Sequence, residues 1–141
     1  MSHLINQPAP SFSLPILGGG RMSLTDCRNK ITIINFWSAE CPWSRRADLV
    51  LLYRNTAWTK AGVKIIGISS TNNEPEGELT YEVDVRHLKY PILLDTTREV
   101  ARLYKAEMTP HFFVLDTKGV VRYTGALDDA TSHHRTPKTI Y

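Results

Sequence analysis

The chain has 141 residues, of which 42% are hydrophobic and 22% charged, which is ordinary for one soluble globular domain spanning residues 1–141. No segment reaches the ~20 apolar residues of a membrane span, and the first residues lack the pattern of a secretory leader, so we expect a cytoplasmic protein. The net charge of +3 comes from scattered Lys and Arg residues, which predicts no nucleic-acid surface.

The first twenty residues are polar and rich in Pro and Gly. Phe12 and Leu14 alternate with polar residues as in a short edge strand, a place where the neighbouring prolines are tolerated. The three consecutive glycines that follow indicate a turn. No strand and no phosphate-binding Lys accompany them in register, so we do not interpret this segment as a phosphate loop.

The most informative stretch runs from residue 31 to residue 48. Ile31–Trp37 is rich in β-branched and aromatic residues, which predicts a buried strand. Cys41 and Pro42 follow after a short connection. Because proline is favoured at the first position of a helix, we expect a helix from Pro42 to about Lys60, with Cys41 at its N-cap edge. Gly62 should end it.

This placement makes Cys41 the candidate nucleophile. The positive end of a helix dipole favours an anion, and the thiolate is the reactive form of cysteine. Arg45 lies in the first turns and adds positive charge, whereas Glu40 acts in the opposite direction. Ser44, three residues after Cys41, is close enough on a helix to donate a hydrogen bond to the sulfur.

Strands alternate with helices along the rest of the chain, which indicates an α/β fold with helices on both faces of a sheet. Asp116–Gly119 is typical of a hairpin turn. The predicted strands cover residues 63–69, 91–95, 111–116 and 120–125, and the predicted helices cover about residues 76–88 and a segment capped by Thr96 or Thr97.

Asn35–Ser44 together with Thr109–Pro110 resembles the thioredoxin-like redoxin group, which includes the AhpC/TSA peroxiredoxins and the TlpA/ResA-type thiol-disulfide oxidoreductases. The resemblance covers roughly residues 8–130. It implies a thioredoxin-like fold with a central mixed sheet, an opening β-hairpin over residues 9–24, and a cis peptide bond before Pro110 that faces Cys41. It also implies a closing C-terminal helix, which we expect to be missing or truncated here.

The resemblance also implies the residues that bind substrate. The backbone of Thr109 beside Pro110 would pair with a bound peptide or thiol. Trp43 lies in the first turn of the helix, where contact with a partner is as plausible as packing, and His111 is a candidate base or proton donor. Local hydrogen bonding is the more common role for a histidine in a strand. Trp37 is expected in the core.

Three functions stay open because Ser44 occupies the position of the second cysteine in TlpA/ResA members. The first is a thiol-disulfide oxidoreductase that uses Cys41 and an external thiol. The second is a one-cysteine peroxidase, in which Ser38 would orient the peroxide and Arg45 or Arg98 would supply the activating charge. The third is a binding module without catalysis.

The remaining candidates are weaker. Cys27 precedes the central strand and could resolve a disulfide, but burial as a small apolar residue is the more common role of a free cysteine. The spacing of His133 and His134 with the cysteines does not match a zinc site, and we predict no metal and no cofactor. The predicted partners are a protein or small-molecule thiol, disulfide or peroxide. The oligomeric state stays open, with a dimer among the alternatives.

Overall fold

The arrangement of the strands places Cys41 at one end of the central sheet. The computed structural model describes residues 4–71, 73–106 and 108–126. Within them lie β1 (Ser13–Pro15), β2 (Arg21–Ser23), β3 (Ile31–Trp37), β4 (Val63–Ser69), β5 (Ile92–Leu94), β6 (His111–Leu115) and β7 (Val121–Gly125), with helices α1 (Pro42–Lys60), α2 (Glu76–Val85) and α3 (Glu99–Tyr104) and a short 3-10 helix at Leu24–Cys27.

Five strands form a mixed sheet in the order β5-β4-β3-β6-β7, and β1 and β2 form a separate antiparallel hairpin. β3 lies at the centre, parallel to β4 on one side and antiparallel to β6 on the other. β5 continues the parallel half. The predicted α/β class, the mixed sheet and the N-terminal hairpin are therefore confirmed.

β3 divides the core in two because its side chains alternate between the faces of the sheet. Ile34 and Phe36 pack on the face covered by α3 and the N-terminal segment. On this face the rings of Tyr104 and Phe113 pack edge to face, with their centres 5.2 Å apart. Trp37 packs on the opposite face with α1 and α2 residues and is 1% exposed, which confirms its predicted core position.

β3, α1 and β4 have the predicted bounds, whereas the other two helices are shorter. α2 ends at Val85 because Arg86 turns inward and His87 adopts a left-handed φ of 55°. The predicted cap of α3 at Thr96 or Thr97 is wrong. The buried carboxylate of Asp95 accepts the Val100 and Ala101 N–H groups at 3.2 and 3.0 Å, and α3 begins only at Glu99.

The apolar face of α1 agrees with the prediction except at Val50. Ala47 and Leu51 are buried as expected and the half-buried Trp58 packs against their cluster, whereas Val50 is half-buried and not part of that cluster. Ser44 and Asp48 complete the buried face, so a carboxylate lies inside the protein. The predicted C-terminal region lies outside the described residues, as do His133 and His134. None of the helices within the described ranges has the length and apolarity to cross a bilayer.

Gly67 offers a test of the packing beneath the sheet. A Cβ atom there would lie 2.6 Å from the Ile92 Cδ1 atom and 2.9 Å from the Tyr90 ring. We expect Gly67→Ala to lower the free energy of unfolding by about 1–3 kcal/mol, as overpacking does. Gly77→Ala, in α2 with nothing within 4 Å of its added methyl group, should instead raise it by about 0.5–1 kcal/mol. Urea denaturation that gave both variants the same sign would contradict this account.

Candidate active site around Cys41

Cys41 connects the central strand to the longest helix of the described chain. It is the N-cap residue of α1, with extended backbone angles, and Pro42 follows at the first helical position. Its carbonyl accepts the Arg45 N–H at 3.0 Å, which is the first bond of the helix. The first N–H groups of a helix have no partner within it, so the half-buried sulfur lies at the positive end of α1, as predicted.

The sulfur faces the segment before β6. The Thr109–Pro110 peptide bond is cis, which confirms the expectation drawn from the resemblance. The Sγ atom of Cys41 donates to the Thr109 carbonyl oxygen at 3.2 Å. A carbonyl oxygen accepts a proton and repels an anion, so this contact suits the thiol form. On deprotonation of Cys41 this hydrogen bond is lost.

The Glu74 carboxylate binds backbone N–H groups of residues 38–40, the connection between β3 and Cys41. One oxygen of this 8% exposed carboxylate accepts the Glu40 N–H at 2.8 Å and the Ser38 hydroxyl at 2.9 Å. The other lies 3.3 Å from the Ala39 nitrogen. Hydrogen bonds to a carboxylate are stronger than neutral ones. The residue before Cys41 is therefore fixed by a side chain from the loop after β4.

The Arg86 guanidinium binds backbone carbonyl groups of the same connection. Its Nη2 atom donates to the Ala39 oxygen at 2.8 Å and to the Ser38 oxygen at 3.2 Å. Its other nitrogens pair with Asp48 and Glu82, each at 2.9 Å. The guanidinium also lies 4.9 Å from the centre of the Trp37 ring. We call Glu74 and Arg86 the loop clamp, because together they bind the amide and carbonyl groups of residues 38–40.

Asp48 is the buried anchor of the loop clamp. Besides Arg86, it accepts the Trp37 indole N–H at 2.7 Å and the Tyr90 hydroxyl. Burial raises the pKa of Asp48, and the hydrogen bonds from Tyr90, Arg86 and Trp37 oppose that shift. Burial and the neighbouring carboxylate also raise the pKa of Tyr90 well above its usual value, so the phenol keeps its proton and donates it to Asp48.

The structure gives three predicted catalytic residues partners other than the sulfur. The Ser44 hydroxyl, fully buried, accepts the Ser38 N–H at 3.1 Å, whereas we expected it to donate to Cys41. The Ser38 hydroxyl donates to Glu74. The Arg45 guanidinium lies 3.2 Å from Glu82, which directs its charge toward α2. Burial alone would raise the pKa of Glu82, but Arg86 and Arg45 hold it below its usual value.

The predicted substrate-binding residues surround the sulfur unequally. Thr109 is exposed and contacts Cys41 directly. Trp43 is half-buried, and the Arg46 guanidinium lies 5.7 Å from its ring centre. His111 is buried, with Nε2 2.9 Å from the Thr124 hydroxyl and its ring stacked on Phe113. This is the local hydrogen bonding expected of a histidine in a strand.

Cys27 lies at the other end of β3. It comes just before this seven-residue strand, and Cys41 comes after it. Seven residues in a strand span roughly 20 Å, whereas a disulfide needs Cα atoms within about 7 Å. A disulfide between Cys27 and Cys41 of the same chain is therefore excluded in this fold. Cys27 is a buried member of the core, and burial raises the pKa of its thiol more than nearby Lys64 lowers it.

A cleft of about 280 Å³ opens next to the connection that leads to Cys41. Its wall includes Ser38, Glu40, Glu74 and Thr109, of which Thr109 contacts the Cys41 sulfur. Arg98 lines the same cleft from the start of α3. Of the two arginines considered as activating charges, Arg98 therefore faces the space that a substrate would enter.

Sequence reasoning missed the loop clamp and its anchor. Asp48 carried a usable signal, because Ser44, Ala47 and Leu51 share its helical face and a carboxylate on such a face requires a partner. Glu74 and Arg86 carried none. They follow a polar loop and the end of a helix, and their partners lie 34 to 48 residues earlier in the chain.

Removing Arg86 should destabilise the protein by leaving the buried Asp48 carboxylate without its cation. We expect Arg86→Met to lower the free energy of unfolding by about 3–5 kcal/mol, because Asp48 is left without its cation. The double variant Arg86→Met, Asp48→Asn should recover part of this loss. Because burial raises the pKa of Asp48, its carboxyl group binds a proton more tightly in the folded state than in the unfolded chain. Protonation removes the unpaired charge, so the loss of unfolding free energy in Arg86→Met should shrink as the pH falls. Urea titrations at neutral and acidic pH test this, and an unchanged midpoint at neutral pH would contradict it.

Comparison with known proteins relates this site to two kinds of redox protein. A model of the AhpC/TSA family matches residues 5–124. The chain is 30% identical over 122 residues to Rv2521 of Mycobacterium tuberculosis, provisionally named a peroxiredoxin, covering 86% of this chain and 76% of that protein. It is 28% identical over 121 residues to the thiol-disulfide oxidoreductase ResA of Geobacillus thermodenitrificans, covering 84% and 67% of the two chains.

A solved structure supports the same conclusion about the fold. The thioredoxin domain of a thiol-disulfide oxidoreductase from Bacteroides vulgatus matches with a TM-score of 0.77 over 85% of this chain and 86% of that one, at 24% identity. The protein has a thioredoxin-like fold, and its chain belongs to the AhpC/TSA family.

Proposed function

We propose that the protein is a thiol-disulfide oxidoreductase in which Cys41 is the nucleophile and an external thiol is the reductant. The observation that supports this most is the position of the Cys41 sulfur, at the N-terminus of α1 and 3.2 Å from the carbonyl of the exposed Thr109. A disulfide bound against Thr109 would meet the sulfur there. The similarity to ResA-type oxidoreductases points the same way.

The reaction proceeds by three thiol-disulfide exchanges. The Cys41 thiolate attacks one sulfur of the substrate disulfide, so that a new S–S bond forms and the second sulfur leaves as a thiolate that takes up a proton. A thiolate from an external thiol then attacks the Cys41 sulfur of this mixed disulfide, so that the remaining substrate sulfur leaves as a thiolate. A second external thiolate attacks the sulfur of the first and releases Cys41 as a thiolate. The substrate is reduced by two electrons, and two molecules of the external thiol supply them as they become a disulfide.

The external thiol is required because the chain has no second cysteine within reach of Cys41. Ser44 stands three residues after Cys41 and carries a hydroxyl that cannot form a disulfide. Cys27 lies at the far end of β3. A reducing compartment such as the cytoplasm, where small thiols keep cysteines reduced, would supply the reductant and is part of this proposal.

Restoring a second thiol tests the proposal. In a Cys27→Ala background, a small aromatic disulfide should convert Cys41 to a mixed disulfide that persists until an external thiol is added. In the Ser44→Cys variant of the same background, the mixed disulfide should decay without added thiol and give an intrachain disulfide. Intact mass over time measures both.

Two results would overturn the proposal. One is a wild-type protein whose Cys41 does not form the mixed disulfide faster than a small free thiol does. The other is a mixed disulfide that resolves without added thiol in the Cys27→Ala protein. Cys41→Ala is the control, because it removes the attacking sulfur and leaves Ser44 and the loop clamp in place.

A second candidate function is reduction of a peroxide by Cys41 alone. It is favoured by the relative named provisionally as a peroxiredoxin and by the need for only one cysteine. The site residues favour it less. The Ser38 hydroxyl is bound to Glu74, and Arg45 is paired with Glu82, so neither points its polar group toward the sulfur. We therefore place it second.

A further inference from the structure

The cleft beside Cys41 contains a cation with no counter-charge bound to it. The Arg98 side chain is exposed, and its backbone has a left-handed φ of 63°. Its N–H donates to the Asp95 carbonyl at 2.9 Å, and its carbonyl accepts the Arg102 N–H at 3.0 Å. In the described ranges, its guanidinium makes no hydrogen bond and no ion pair. The backbone of Arg98 is thus fixed while its charge is available to a ligand.

The acids of the same cleft do not neutralise Arg98. The Glu74 carboxylate is bound to the amide groups before Cys41 in the loop clamp. Glu40 is exposed beside Cys41 and repels anions at that end. Apolar side chains, including Phe36 and Met108, line other parts of the cleft. Among the residues that the structure describes, the cleft therefore combines an apolar surface with the unpaired guanidinium of Arg98.

We infer that this cleft binds a small thiol or disulfide that carries a carboxylate, with the carboxylate on Arg98 and the sulfur at Cys41. This rests on the proposed function and adds the class of its thiol partner. Thr109 both lines the cleft and contacts the Cys41 sulfur, and Glu40, which precedes Cys41, lines it as well, so a ligand in the cleft would lie next to Cys41. The cleft is at the small end of ligand sites, which hold about 300–1,000 Å³, so the occupant has the size of an amino acid or a short peptide.

The bound molecule takes part in the exchange in a defined way. As a disulfide, it accepts the Cys41 thiolate on one sulfur, and its other half leaves as a carboxylate-bearing thiolate. As a thiol, it attacks the Cys41 sulfur of the mixed disulfide, so that the substrate sulfur leaves as a thiolate, and a second molecule then attacks the bound one and releases the Cys41 thiolate, with the disulfide of the two molecules as the product. In each step an S–S bond forms as another breaks, and Arg98 holds the carboxylate without changing its own protonation. Arg98 is a specificity-determining residue in this proposal.

Two disulfides that differ only in charge test the inference. The probes are dithiodipropionate, which has a carboxylate on each half, and its neutral diamide. Rates of mixed-disulfide formation at Cys41 are followed by intact mass at physiological ionic strength, where screening limits distant charges to a range of about 8 Å. Each rate is divided by the rate at which the same disulfide reacts with a small free thiol, which removes the difference in intrinsic reactivity between the two disulfides. The ratio of the two corrected rates reports charge recognition.

We expect the wild-type ratio to favour dithiodipropionate and to fall about tenfold in Arg98→Gln, as the loss of one charge-assisted contact would cause. Arg98→Lys should keep much of the preference. The matched control is Arg102→Gln, which removes the same charge from α3 at an exposed residue outside the cleft, where Arg102 binds the Thr97 carbonyl. Its ratio should stay close to that of the wild type.

An unchanged ratio in Arg98→Gln would overturn the inference, as would an equal fall in Arg102→Gln. These results leave the proposed function standing if Cys41 still reacts with the diamide faster than a free thiol does. Failure of the wild-type protein to react with either disulfide would instead overturn the proposed function and this inference together. Thermal unfolding of each variant verifies that the fold is retained.

Discussion

The buried guanidinium of Arg86 is the interaction on which the site depends. It binds two carboxylates and two carbonyl groups, so each of its three nitrogens has a partner. Lysine could not replace it, because one ammonium cannot present a planar fork to partners in several directions. Through these bonds, Arg86 ties α1, α2 and the connection after β3 into one unit. The position of Cys41 follows from that unit, since the sulfur is attached one residue beyond the clamped loop.

The two members of the loop clamp bind different kinds of backbone group in one short segment. Glu74 accepts the N–H groups of Ala39 and Glu40, and Arg86 donates to the carbonyl groups of Ser38 and Ala39. A short loop between a buried strand and a helix has few backbone partners of its own, and unpaired buried groups are costly. The loop clamp satisfies them with charged side chains. The nucleophile is consequently attached to a fixed backbone.

The sequence predicted the parts of this protein that depend on local patterns. The β-branched run before Cys41, the proline after it and the glycine beyond α1 gave the bounds of β3 and α1, and the resemblance gave the cis bond at Pro110. The cap of α3 was missed because Asp95 reaches forward from a buried strand end, beyond the threonines that fit the usual pattern. Arg86 and Glu74 were missed because no local pattern records pairing between distant segments. Ser44 was placed correctly on the helix, but its hydrogen-bond partner depends on the loop in three dimensions.

We propose that Cys41 exchanges disulfides in preference to reducing peroxides. The most direct measurement offers reduced Cys27→Ala protein a small disulfide and hydrogen peroxide at equal concentration and follows the products by intact mass, with each rate compared with that of a free thiol. The account predicts that the mixed disulfide at Cys41 is the main product and that its formation is accelerated more strongly than oxidation by peroxide. A sulfenic or sulfinic acid at Cys41 as the main product, formed with the greater acceleration, would contradict it.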